Sequence, residues 1–121
     1  MFRMLSRLLA APILFLALSG CTDGNSDGIT VSDSTVIIDV RTAEEFATGH
    51  LDGARLLDLT SGEFAATLPE LAPDVEYLVY CRSGNRSAQA VTLMEDAGFS
   101  DVTNLGSVEQ ASSATGIPIV T

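Results

Sequence analysis

The chain has 121 residues, room enough for one domain. It holds six arginines, no lysine and sixteen acidic residues, a formal net charge of −10. That balance excludes a basic nucleic-acid surface and polybasic attraction to anionic lipid, since both need clustered cations.

Residues 1–20 read as a targeting segment. Arg3 and Arg7 give a basic start, and Leu8 to Leu18 is an apolar run of eleven residues broken by Pro12. A bilayer span needs about 20 residues, so this run suits the apolar part of a secretory signal instead. Leu18-Ser19-Gly20-Cys21 resembles a bacterial lipobox, with small residues before a cysteine that becomes the lipidated N-terminus. The expectation is a protein outside the cytoplasm, held to the membrane only by lipid on Cys21, with a plain secreted protein as the alternative. Losing residues 1–20 removes two arginines and no acid, leaving four arginines against sixteen acids, or −12. With Cys21 lipidated, Cys81 is the remaining thiol in an oxidising compartment, where an unused thiol is a liability. Residues 21–28 are small and polar and read as a flexible tether. Asp23, Asn25, Asp27 and Gly28 match the start of a calcium loop, but Ser34 stands where that loop needs glutamate.

The domain proper is expected over residues 29–121. Val36 to Val40 is short, apolar and β-branched, a buried strand. Thr42 with Glu45 three residues on forms a capping box for a short helix that Gly49 stops. Residues 54–59 are a weak strand, and Gly62 to Leu68 a helix ended by Pro69. Tyr77 to Tyr80 is the next strand. Ser87 to Ala97 is the strongest helix, with Ala90, Val91, Met94 and Ala97 on one face and Gly98 beyond its end. Asp101 to Leu105 is a further strand, followed by a turn or helix over 107–113 and the segment Gly116 to Val120. Strands alternating with helices imply right-handed crossovers and an α/β fold with a small, mostly parallel sheet. Ligands in such sheets sit at the carboxyl ends of strands, where Arg41 and Cys81 fall.

The run Cys81-Arg82-Ser83-Gly84-Asn85-Arg86-Ser87 joins a strand to a helix. A cysteine is nucleophilic only as the thiolate. A helix N-terminus offers unpaired N–H groups, and a loop curled over it makes a nest of donors for an anion. Arg82 and Arg86 add positive charge. The expectation is that every local influence favours Cys81-S⁻.

Four stretches together resemble the rhodanese domain: Ile38-Asp39-Val40-Arg41 followed by Glu44-Glu45-Phe46; Gly49 to Ala54; the loop Cys81 to Ser87; and the helix ending in Gly98-Phe99. Asn104-Leu105-Gly106 and Gly116-Ile117-Pro118-Ile119 match the family's closing pattern more loosely. The resemblance implies a three-layer sandwich with the sheet between helices. It also implies sulfur transfer: Cys81 attacks the outer sulfur of a donor such as thiosulfate, and the resulting persulfide passes its sulfur to a thiol or cyanide. The partners implied are a small anionic sulfur donor and a thiol acceptor, with no metal or organic cofactor, acting on a monomer. Related phosphatases and arsenate reductases place five residues between cysteine and arginine. Cys81 and Arg86 enclose four, which suits a persulfide better than a tetrahedral oxyanion.

On this resemblance Arg82 meets the donor, Ser83 and Gly84 shape the loop, and Arg86 braces it. Asn85 and Ser87 complete the loop, while Asp39, Arg41 and Glu45 support it. Arg41 is read as either an anion-binding residue or half of a structural pair with Asp39 or Glu45. His50 is read as a turn residue rather than a general base, and the Asn85-Arg86-Ser87 glycosylation pattern is set aside. The family ordinarily has a strand and a helix before the Asp39 strand. Only Ile29 to Thr35 are available here, so the N-terminal edge is trimmed. A common aromatic residue is also missing near Ala111-Ser112-Ser113. Two alternatives to sulfur transfer stand beside it: a non-enzymatic docking module, which usually lacks the cysteine, and a thiol redox sensor.

Overall fold

A computed structural model describes residues 28–121. The expected targeting segment 1–20, Cys21 and the expected tether up to residue 27 lie outside the described residues.

Among the described residues, six strands and four α-helices follow in order: β1 (Val36–Asp39), α1 (Ala43–Thr48), β2 (His50–Leu51), β3 (Arg55–Leu56), α2 (Glu63–Thr67), β4 (Tyr77–Tyr80), α3 (Asn85–Asp96), β5 (Val102–Gly106), α4 (Val108–Thr115) and β6 (Ile119–Val120). The central sheet has the order β3-β1-β4-β5, and every pairing in it is parallel. A second, two-stranded ribbon pairs β2 with β6 antiparallel.

Successive side chains on a strand point to opposite faces, and this alternation divides the core in two. Ile38, Val40, Tyr77, Val79 and Cys81 face one way, packed on Leu57, on Phe64 of α2 and on Ala90 and Met94 of α3. Ile37, Leu78 and Tyr80 face the other way, against Leu51, Leu105 and Val108 and Ala111 of α4. The molecule is therefore a sandwich of α2 and α3, the parallel sheet, and a layer formed by α4 with the β2–β6 ribbon. Buried on both faces, β1 and β4 read as continuous apolar runs rather than alternating ones.

The capping box at Thr42 and Glu45 forms, and Gly49 closes α1. Gly98 takes the left-handed conformation beyond α3. No strand precedes β1 among the described residues. Ile29 instead donates its N–H to the Ala114 carbonyl at 2.8 Å and packs with Val31 on the α4 side of the core.

Several expected boundaries shift. The weak strand over 54–59 shrinks to Arg55–Leu56, held only by β1. The turn after α2 does not stop before Pro69. It tightens into a 3₁₀ turn over Leu68–Glu70, whose early positions accept a proline because their N–H groups have no partner within the turn. Helix α3 starts at Asn85, two residues before Ser87, and its Ala97 end is exposed rather than on the buried face. The segment after β5 is a full helix with a second capping box, from Ser107 and Gln110.

Candidate active site

Cys81 follows β4 directly, and its backbone N–H donates to the Gly106 carbonyl at 2.9 Å, which fixes the start of the loop against the end of β5. The loop then turns back over the sulfur. Gly84 makes this possible: its φ is +96°, a region costly for residues with a Cβ. A Cβ there would stand 3.4 Å from the Gly106 Cα, an ordinary contact, so the backbone angle and not space is what calls for glycine. The turn brings the Gly84 N–H to 2.9 Å from the Cys81 sulfur and the Ser87 hydroxyl to 3.4 Å.

Cys81 and Ser87 have no exposed surface, and this corrects one expectation. Burial pushes the Cys81 thiol up, and is the largest single influence on it. The Ser87 hydroxyl and the backbone donors of Ser87, Ser83 and Gly84 pull the other way, and together they hold the thiol below its ordinary 9.0. The loop therefore stabilises the anion against an unfavourable environment, rather than with every influence aligned.

The arginines divide into three situations. Arg86 on the first turn of α3 makes a fork-to-fork pair with Glu45, at 2.7 and 2.9 Å. The same Glu45 accepts the Thr42 N–H and hydroxyl as part of the α1 cap. Arg86 thus ties α3 to α1, and its charge is largely spent on that carboxylate. The Glu45 carboxyl, held chiefly by Arg86, falls to about 2. Arg41 is buried, and its guanidinium pairs with Asp39 at 2.7 Å and donates to the Gly49 carbonyl at 2.6 Å. It also lies over the Tyr80 ring, 5.7 Å from its centre. Burial opposes its charge, but the Asp39 carboxylate outweighs that and keeps the guanidinium ionised. Arg82 is exposed on the loop. It lines a cleft of about 470 Å³ with Arg41, Glu44, Glu45, Thr48, Val108 and Glu109.

The remaining residues sit as follows. Ser83 and Asn85 are exposed, with the Asn85 N–H directed at the Ser83 hydroxyl at 3.5 Å. His50 stacks on Phe46 with ring centres 3.6 Å apart, and its Nδ1 donates to the Phe46 carbonyl at 2.9 Å. That contact packs the start of β2 on α1 and leaves His50 outside the cleft lining.

Asn104 of β5 was not expected at this site. Its Nδ2 donates to the Gly84 carbonyl at 3.1 Å. Its Oδ1 accepts from the Ser87 hydroxyl at 2.7 Å and from the Gly106 N–H at 2.9 Å. A polar residue inside a strand was the available signal, because an asparagine is disfavoured there without a specific partner.

The chain is similar to proteins already known. The family model for the rhodanese-like domain matches residues 26–113. A sulfurtransferase of Allochromatium vinosum is 32% identical over 95 residues, covering 78% of this chain and 87% of that protein. A thiosulfate sulfurtransferase GlpE of Pseudomonas putida is 40% identical over 70 residues, covering 58% of this chain and 62% of that protein. The probable adenylyltransferase/sulfurtransferase MoeZ of Mycobacterium tuberculosis is 42% identical over 72 residues, but this match covers 57% of the chain and only 18% of the mycobacterial protein. Among solved structures, the Rhodanese_3 like domain of the Anabaena Alr3790 protein superposes with a TM-score of 0.61 at 28% identity, covering 72% of this chain and 99% of that one. An Escherichia coli rhodanese determined with anions gives 0.59 at 27% identity, covering 72% of this chain and 98% of that one. The chain belongs to the rhodanese-like domain family.

Proposed function

We propose that the chain transfers sulfane sulfur through a persulfide on Cys81. The observation that supports this reading is the convergence of the Gly84 N–H and the Ser87 hydroxyl on the Cys81 sulfur at the start of α3. Donors held in place before reaction stabilise an anion without the cost of reorganising solvent.

The chemistry takes two half-reactions. The Cys81 thiolate attacks the outer sulfur of thiosulfate, and the S–S bond of the donor breaks with its electron pair leaving on sulfite. The product is Cys81-S-S⁻, and the charges balance at −3 on each side. An acceptor thiolate then attacks the terminal sulfur, takes it, and returns Cys81 as the thiolate. Cyanide as acceptor gives thiocyanate. The enzyme alternates between free and loaded forms, so ping-pong kinetics follow. The buried sulfur requires the exposed loop residues Arg82 and Ser83 to yield as the donor enters from the cleft. The location belongs to the same proposal: a protein outside the cytoplasm, held to its membrane by lipid on Cys21.

Intact-mass measurement after reduction and incubation with thiosulfate tests the reading. The expected result is a gain of one sulfur atom, lost on Cys81→Ser and removed by cyanide. A protein that stays at its reduced mass under these conditions refutes it.

A further inference from the structure

Asn104 is bonded to two of the residues that donate to the Cys81 sulfur, Gly84 and Ser87. Its Nδ2 is bonded to the carbonyl of Gly84, and its Oδ1 is 2.7 Å from the Ser87 hydroxyl oxygen. The orientation of the amide is fixed by its surroundings. The Gly106 N–H at 2.9 Å and the Gly84 carbonyl at 3.1 Å demand an acceptor on one side and a donor on the other, so Oδ1 and not Nδ2 faces Ser87.

The Ser87 hydroxyl has one hydrogen and two acceptors in reach, Oδ1 at 2.7 Å and the sulfur at 3.4 Å. It cannot donate fully to both. A neutral sulfur is a weak acceptor, so the amide oxygen wins. A thiolate is a strong acceptor, so the hydrogen swings to sulfur. Two oxygens are then left in close contact with no hydrogen between them, and this opposes the charged form.

We propose that Asn104 is a positioning residue for Cys81, acting through Ser87: its Oδ1 takes the Ser87 hydrogen while the sulfur is uncharged and yields it when the sulfur ionises. This rests on reading Cys81 as the nucleophile. Two consequences follow. The thiolate stays more basic than unopposed donors would leave it, and basic thiolates attack faster. Once the sulfur of Cys81 is bonded to a second sulfur, the charge moves to the terminal atom and the hydrogen returns to Asn104. The loaded form regains the bond that the free thiolate gave up.

The charged groups around the sulfur leave room for this effect. Arg86 of α3 is neutralised by Glu45 of α1, and Arg41 by Asp39 at the end of β1. Arg82 is exposed on the loop, and β5 has no ionisable side chain.

The test is the pH dependence of alkylation of Cys81 by iodoacetamide. It is measured in the native protein, Asn104→Asp and Asn104→Ala, each with Ser87 intact and with Ser87→Ala. Asn104→Asp supplies a stronger rival acceptor. The part of its effect that depends on Ser87 is a rise in thiol pKa of about one, a tenfold loss of thiolate below the midpoint. The added charge itself repels the thiolate equally in both backgrounds. Asn104→Ala removes the rival, and its Ser87-dependent part is a fall. Shifts that are the same with and without Ser87, or that have the same sign for both variants, overturn the proposal. Should Asn104→Ala not fold, as judged by circular dichroism, the near-isosteric Asn104→Asp decides alone. Thiol ionisation is read without any sulfur transfer. A protein that behaves as expected here yet gains no sulfur from thiosulfate loses the sulfurtransferase reading and keeps this one.

Discussion

Glu45 is one carboxylate with two duties. It completes the cap of α1 through Thr42 and it clamps Arg86, so the α1 start and the α3 start share a single anchor. The pair is three-quarters buried, with side chains 24% and 25% exposed. Folding lowers the Glu45 carboxyl from 4.5 to about 2, first through Arg86. A carboxyl lowered on folding contributes stability that is complete above its unfolded value and is lost as pH falls through the folded one. The window is therefore from about pH 4.5 down to 2. After allowance for screening of a partly exposed pair, the loss is about 1–2 kcal/mol. Denaturant midpoints measured across that window should fall with pH, and Glu45→Gln should flatten the fall while lowering the midpoint at neutral pH. A Glu45→Gln variant with the native pH profile would show that the clamp contributes nothing. Cys81 illustrates the opposite balance at the same scale: burial works against its charge, and only the donors at the start of α3 reverse the sign.

Helix α3 positions those donors, and its own placement depends on a narrow apolar stripe. Ala90 and Met94 are fully buried against the α2 side of the core, while Leu93 is 43% exposed. Met94→Ala should cost about 2–5 kcal/mol by leaving a cavity, whereas Leu93→Lys should change stability by less than about 0.5 kcal/mol. Thermal or denaturant unfolding of the two variants checks the contrast, and equal losses would mean the helix is packed by a different face. Periodicity revealed α3 because twelve residues give more than three turns of pattern. It also placed Ala97 on the buried face, where the chain is in fact leaving the helix and the side chain is exposed. The capping box at Thr42 was legible because its two residue types sit at fixed spacing. The β2–β6 ribbon was not. Strands of two residues give no alternation to read, and the two partners are far apart in the chain. The loop from Cys81 to Ser87 could be picked out from composition and position, but the Asn104 bonds could not. They depend on β5 lying beside β4, and strand order is a property of the folded sheet.

At the scale of the whole molecule the charge is lopsided. Six arginines face sixteen acids across the chain. Of the two arginines in the loop, Arg86 is held by Glu45, so among the described residues Arg82 alone presents an unpaired positive charge at the cleft, next to the exposed Glu44 and Glu109. A dianion such as thiosulfate approaches against a field that falls off over about 10 Å at 0.1 M salt. The thiosulfate half-reaction should therefore quicken as ionic strength rises from low values, read as the stopped-flow rate of sulfite release. A rate that declines steadily with added salt would mean that Arg82 dominates the approach. The sheet order has a separate implication for how the hollow around the sulfur comes into being. Its two middle strands, β1 and β4, are separated in the chain by α1, β2, β3 and α2, and parallel neighbours cannot be joined by a hairpin. Their encounter closes a long loop before much is gained in return, and non-local pairing of this kind slows folding. Until it happens Cys81 is an ordinary cysteine on an open chain, as vulnerable to stray oxidants as any other. Reactivity and protection are acquired together, in one cooperative step.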